Sequence, residues 1–218
     1  TPEELAELVQ VGDLITMKRE LVELKGGMVS GKAMDDRASV VAVAVCLEEL
    51  TRLRHRWDVY AVATVQEEVG LRGAITSAFS LRPDVALAID VTFARQPGTP
   101  DEQTYELGKG PTIGCGPNFH PRLQEELVSA AKALEMDHHL EPAALPPGTD
   151  ARALQISREG IPAGLVSIPV RNMHTPVETV AVKDVERAGR LMAAMIGRLD
   201  DDWLQTLTWD LGLDDDEE

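Results

Sequence analysis

Val59-Tyr60-Ala61-Val62-Ala63-Thr64-Val65 is an unbroken apolar run that stops at Gln66-Glu67-Glu68. A strand exposed on one face alternates apolar and polar residues, whereas a continuous run belongs to a sheet covered on both faces. Val85 to Ile89, ended by Asp90, and Ala163 to Val170 repeat the pattern. Between these runs lie helical stretches: Ala38 to Leu53, Gly70 to Ser80, Pro121 to Leu134 and Lys183 to Leu199. Strands alternating with helices predict an α/β fold, with a largely parallel mixed sheet flanked by helices on both faces. Pro111 to Gly116 is read as a further short strand, and residues 28–37, 95–105 and 141–149 as loops. Leu14 to Met17 and Glu20 to Leu24 are strand-like, and Trp203 to Leu211 is read as a possible extension of the last helix.

The 218 residues suffice for one large domain with its own core. Aromatic residues are only 4%, so that core rests on Val, Leu, Ile and Ala. The net charge of −16 argues against a nucleic-acid partner, because a phosphate backbone is held by Lys and Arg. Much of the acidity lies at Asp200-Asp201-Asp202 and Asp214 to Glu218, read as solvated surface and tail. Cys46 and Cys115 are the only cysteines, too few for a disulfide framework, and the expected compartment is a reducing cytoplasm. The longest apolar run, Ala38 to Leu47, is too short to span a bilayer, so no membrane partner is expected.

Charge at the end of a buried strand is costly unless a cation or proton accompanies it. Glu67 and Glu68, Asp90 and His174 all follow apolar strands, and Asp35 and Asp36 sit just before a helix that leads into one. In open α/β sheets ligands bind outside the carboxyl ends of strands, so these side chains can meet on one rim. Oxygen donors with a minority of nitrogen suit zinc, cobalt or manganese in a hydrolytic site. Each residue alone has a plainer reading. Asp35-Asp36 can cap a helix, Glu67-Glu68 can be a solvated helix start, and a lone His174 is usually a loop histidine. His138 and His139 are read as the end of a helix, where a cation is favourable. The functional reading rests on acid or imidazole recurring at several strand ends.

The order Gly31-Lys32-Ala33-Met34-Asp35-Asp36-Arg37, Gln66-Glu67-Glu68-Val69-Gly70, Ala88-Ile89-Asp90-Val91, Gly148-Thr149-Asp150-Ala151 and Ser167 to Glu178 resembles the catalytic domain of the tetrahedral and glutamyl aminopeptidases. Some members of that family carry the label endoglucanase or cellulase. The resemblance implies two divalent metal ions, zinc or cobalt. Asp35 would bridge them, with Glu68 and Asp90 each ligating one and His174 completing one set. Glu67 would be the general base, and Gly148, Thr149 and Asp150 would lie in the substrate region. It further implies peptide substrates and a homo-oligomer, dimers assembling into dodecamers.

The family places another metal-binding histidine in a His-x-Asp motif near its N-terminus, and this chain has no histidine before His55. Residues 1–27 resemble the exit of the family's inserted dimerisation domain, 28–212 its catalytic domain, and 213–218 form the acidic tail. Thr1-Pro2-Glu3-Glu4 reads as the start of a helix without an initiating Met, so further sequence upstream is expected. Two main functional readings stand at this point: a di-metal aminopeptidase, or a domain of the same fold serving assembly or peptide binding. A deacylase or carboxypeptidase on the same scaffold is a third. Glycoside hydrolysis by a carboxylate pair fits poorly, because neighbouring side chains diverge from a strand.

Overall fold

The computed structural model describes residues 1–207. The tail at 213–218 and the end of the helix extension, beyond 207, lie outside them. Helix α1 (Pro2–Ala6) is closed by a capping box, in which Thr1 accepts the Glu4 N–H and Glu4 reaches back to Thr1. There follow β1 (Val22–Leu24), β2 (Met28–Gly31), α2 (Met34–Leu50), α3 (Arg72–Leu81), β3 (Ala86–Phe93), β4 (Thr112–Cys115), α4 (Pro121–Ala133), β5 (His139–Pro142), α5 (Asp150–Leu154), β6 (Ala163–Arg171), β7 (Glu178–Ala181) and α6 (Val182–Arg198). No described helix is long and apolar enough to cross a membrane.

The seven strands form one mixed sheet in the order β1-β2-β7-β6-β4-β5, with β3 paired to β6. Its longest pairing is parallel and runs from Ala86↔Ala163 to Phe93↔Val170. The expectation of a largely parallel sheet is corrected: four of the six strand pairings are antiparallel. Burial explains the misreading. β6 is buried on both faces over eight of its nine residues, and an unbroken apolar run looks the same whichever way its neighbour points. The antiparallel contributions come from short strands with weak patterns, such as the β1–β2 hairpin turning through Gly26 and Gly27, both at positive φ.

Val166, Ile168 and Val170 of β6 face a core shared with Ala42 and Cys46 of α2, Leu127 of α4 and Leu191 of α6. On the opposite face Leu165 packs with Ala88, Phe119 and Ala151 of α5. Burial of each such Val, Leu or Ile contributes roughly 1.5–3 kcal/mol. Asp184, fully buried in the first turn of α6, accepts the N–H groups of Gly108 at 2.5 Å and Gly110 at 2.9 Å, tying that loop to the helix.

A second expectation fails at Val59 to Val65. This run joins no strand of the sheet among the described residues, and Tyr60, Val62 and Val65 are exposed. Val59 packs partly on the main core. The end of the run is pinned where the Gly73 N–H bonds to Val65 O at 2.8 Å. Apolar character alone does not supply a neighbour, and without ladder hydrogen bonds the run forms no strand. The expected strand Leu14 to Met17 is likewise absent, and residues 1–27 are exposed throughout. His139 lies in β5 rather than at a helix end.

Candidate metal centre

Asp35 and Asp36 stand where β2 gives way to α2. Neither has helical dihedral angles, and Asp36 Oδ1 accepts the Ser39 N–H at 3.2 Å, so Asp36 caps the helix proper. Glu67 and Glu68 occupy the turn between the unpaired run and α3, entered through Gln66 at φ 60. Asp90 lies within β3 and is 8% exposed. His174 sits between β6 and β7 at φ 62, beside Asn172 at φ 60. Left-handed geometry in a non-glycine residue costs on the order of 1–3 kcal/mol and persists where surrounding contacts impose it. With Leu71 at φ 55, four such residues lie in the two loops that carry Glu67, Glu68 and His174, and they mark this rim as constrained.

The structure brings Asp35, Glu68 and His174 together as one possible set of metal ligands, and Asp35, Asp36 and Asp90 as another; within each set the ligand atoms lie within 4.8 Å of one another. Asp35 belongs to both. His174 Nε2 lies 3.0 Å from Asp35 Oδ2 and 3.8 Å from Glu68 Oε2. The first set, two carboxylates with one imidazole, and the second, three carboxylates, match the oxygen and nitrogen donors of zinc and related divalent ions, so the residues present fit such a group.

Crowded carboxylates in a partly dry site hold their protons. Burial, followed by Glu68, raises Asp35 to about 6. Burial raises Asp36 to about 8, and burial with the nearby Asp36 raises Asp90 to about 9. Glu67 rises to about 7 through burial, then through the charges of Glu68, Asp150 and Asp35, with His174 opposing. Removing like charges from water favours the neutral form, and a divalent cation reverses that preference.

Asp150 begins α5. Its Oδ2 accepts the Thr64 hydroxyl at 2.6 Å, its Oδ1 is buried without a hydrogen-bond partner, and burial raises its pKa. Gly148 and Thr149 line a pocket beside it with a volume of about 280 Å³. A larger concavity, about 390 Å³, lies around residues 117–121 and 155–163 and contains none of the candidate residues.

Sequence reasoning gave no role to Glu178, yet its carboxylate is 2% exposed and accepts the N–H groups of Asp35 and His174. Its only signal is an acid opening a buried strand, and the backbone groups it binds cannot be read from side-chain patterns. Asp36, a rim carboxylate in the sequence with no ligand role implied, falls within the second set.

A protein-family profile described as M42 glutamyl aminopeptidase matches residues 1–191. The lysyl aminopeptidase of Pyrococcus furiosus is 42% identical over 166 residues, which are 76% of this chain and 47% of that protein. The solved aminopeptidase APDkam598 from the archaeon Desulfurococcus kamchatkensis superposes with a TM-score of 0.84 at 41% identity, over 96% of this chain and 60% of that one. The Pyrococcus horikoshii TET1 peptidase, described as able to assemble into a tetrahedron or a large octahedral shell, gives a TM-score of 0.75 at 32% identity, over 90% and 58%. The chain spans about half the length of the curated relatives it matches. Profile, identity and fold agree: the chain belongs to the M42 glutamyl aminopeptidase family.

Proposed function

We propose that this chain is the catalytic portion of a metal-dependent aminopeptidase that removes the N-terminal residue of peptides. The observation that carries the reading is Asp35, the one carboxylate common to both sets of metal-ligating side chains. Asp35 would bridge two ions, zinc or cobalt, with Glu68 and His174 on one side and Asp36 and Asp90 on the other. When bound, two such cations would polarise the scissile carbonyl and lower the pKa of the attacking water.

Glu67 is half-buried, adjacent to Glu68 and absent from both ligand sets. A carboxylate with no metal to hold is free to move protons. It takes one from the water as oxygen attacks the carbonyl carbon, and returns it to the leaving nitrogen as the C–N bond breaks. Asp150, with one oxygen fixed by Thr64 and the other without a partner, receives the substrate's α-ammonium group. Gly148 and Thr149 place it there. Assembly of copies into a homo-oligomer follows the TET1 relative.

A second reading keeps the fold for assembly or peptide binding without turnover. It is favoured by the Val59 to Val65 run, which pairs with no strand among the described residues. Metal content by mass spectrometry and release of aminoacyl chromophores by the full-length protein separate the two. Two equivalents of metal with chelator-sensitive release from substrates with free N-termini support the aminopeptidase. Absence of both metal and turnover sinks it.

A further inference from the structure

The 280 Å³ pocket opens between the segments that carry the candidate site. Val91 follows Asp90, Thr149 precedes Asp150, and Met173 precedes His174, and all three line it. Its volume is just below the roughly 300 Å³ at which ligand pockets usually begin, which suits one side chain rather than a length of peptide. Val91, Phe119, Leu165 and Met173 make its walls apolar.

Glu141 is the only charged residue in that lining. It projects from β5, and both of its oxygens are fixed: Thr92 donates to Oε1 at 2.8 Å and Thr112 to Oε2 at 2.5 Å. No Lys or Arg lines the pocket to neutralise it. Its charge is felt nearby, since the Tyr105 hydroxyl is pushed up to about 12 by burial and then by Glu141, and the Cys115 thiol rises for the same two reasons. A carboxylate held by two neutral donors keeps lone pairs for a cationic one.

Position agrees with chemistry. Asp90 and Thr92 are two residues apart on β3, so they point to the same face about 6.6 Å apart along the strand. Glu141 is tied to the same strand through the Thr92 hydroxyl. An extended lysine side chain carries its ammonium roughly 6 Å from Cα at ordinary bond lengths. We infer that Glu141 selects peptides whose N-terminal side chain is a long aliphatic stem with a cationic head, lysine or arginine. The inference rests on the aminopeptidase reading, and deepens it by naming the substrate class.

The test has two arms on the full-length protein. In the first, hydrolysis of lysyl, arginyl, leucyl and glutamyl p-nitroanilides is compared between native protein and Glu141→Gln. The native kcat/KM is expected to favour lysyl and arginyl over leucyl by at least tenfold, with that ratio falling at least tenfold in the variant. Hydrolysis that prefers leucyl or glutamyl, or a ratio unmoved by the substitution, overturns the inference and leaves the aminopeptidase reading standing. In the second arm, calorimetry compares free L-lysine with L-norleucine, which has a similar stem but no charge. Lysine binding at least tenfold tighter to native protein, but not to Glu141→Gln, supports the inference even without turnover. Equal affinities overturn it. Failure to hydrolyse any of the four substrates counts against the aminopeptidase reading alone.

Discussion

Glu178 holds His174 by its backbone, accepting its N–H at 2.7 Å through Oε1. Through Oε2 the same carboxylate takes the Asp35 N–H at 3.1 Å, so one buried side chain sets the spacing of two proposed ligands 139 positions apart. Groups that orient metal ligands usually matter 10–100-fold for affinity. Glu178→Gln replaces one accepting oxygen with an amide NH2 that cannot take a backbone N–H. Metal affinity, read by calorimetric titration, should fall by about tenfold or more. Unchanged affinity would show that the loops hold themselves.

Asp35 is shared, whereas its neighbours are not. Asp35→Asn should therefore lower the occupancy of both ions, while Glu68→Gln or Asp90→Asn should weaken one ion much more than the other. Native mass spectrometry at limiting metal distinguishes these patterns. Loss of a single ion in Asp35→Asn would refute the bridging role.

The raised carboxyls make the metal-free protein sensitive to pH in an unusual direction. Asp36 and Asp90 rise from 3.8 to about 8 and about 9. The folded state therefore binds more protons than the unfolded chain across that window, and stability falls as pH climbs from about 4 to about 9. Metal competes with the same protons, so its affinity rises over the same range. Free metal at 100 times its Kd adds about 2.7 kcal/mol. Thermal melts with and without chelator should diverge increasingly from pH 5 to pH 9, and parallel curves would contradict the assignment.

Gly73 is a point of close approach between α3 and the segment that carries Glu67. A Cβ there would meet Val65 N at 2.4 Å and Val65 O at 2.5 Å. Gly73→Ala must push the helix and that segment apart, and overpacking of this kind typically costs 1–3 kcal/mol. Because Val65 precedes Glu67 by two residues, kcat should fall by more than the loss of folded protein explains. Denaturation midpoint and kcat measured on one preparation separate the two effects.

The elements legible in the sequence were those whose own residues carry a strong period. α4 and α6 match their expected spans to within one residue, and β6 differs only by including Arg171. β2, β5 and β7 have four residues each, and neither their number nor their direction could be read from so few positions. Glu141 is hidden for that reason, because β5 straddles the expected end of a helix at His139 and the start of the Pro-rich loop at 141. The rim residues were visible because Asp90 and His174 end or follow apolar runs, where an unpaired charge needs a reason. Val59 to Val65 shows the limit of that logic. The same apolar signal marked a strand, but pairing depends on a neighbour that local sequence does not describe.

That open run has a kinetic consequence. Its amides join no ladder among the described residues, while those of β3 and β6 bond to one another along eight register positions. Hydrogen exchange should therefore be fast across 59–65 and slow in β3 and β6. Glu67 and Glu68 are carried by the quickly exchanging segment, whereas Asp90 rides on the slow one. The two halves of the proposed centre thus keep different clocks, and whatever slows exchange at 59–65 would bring them onto one.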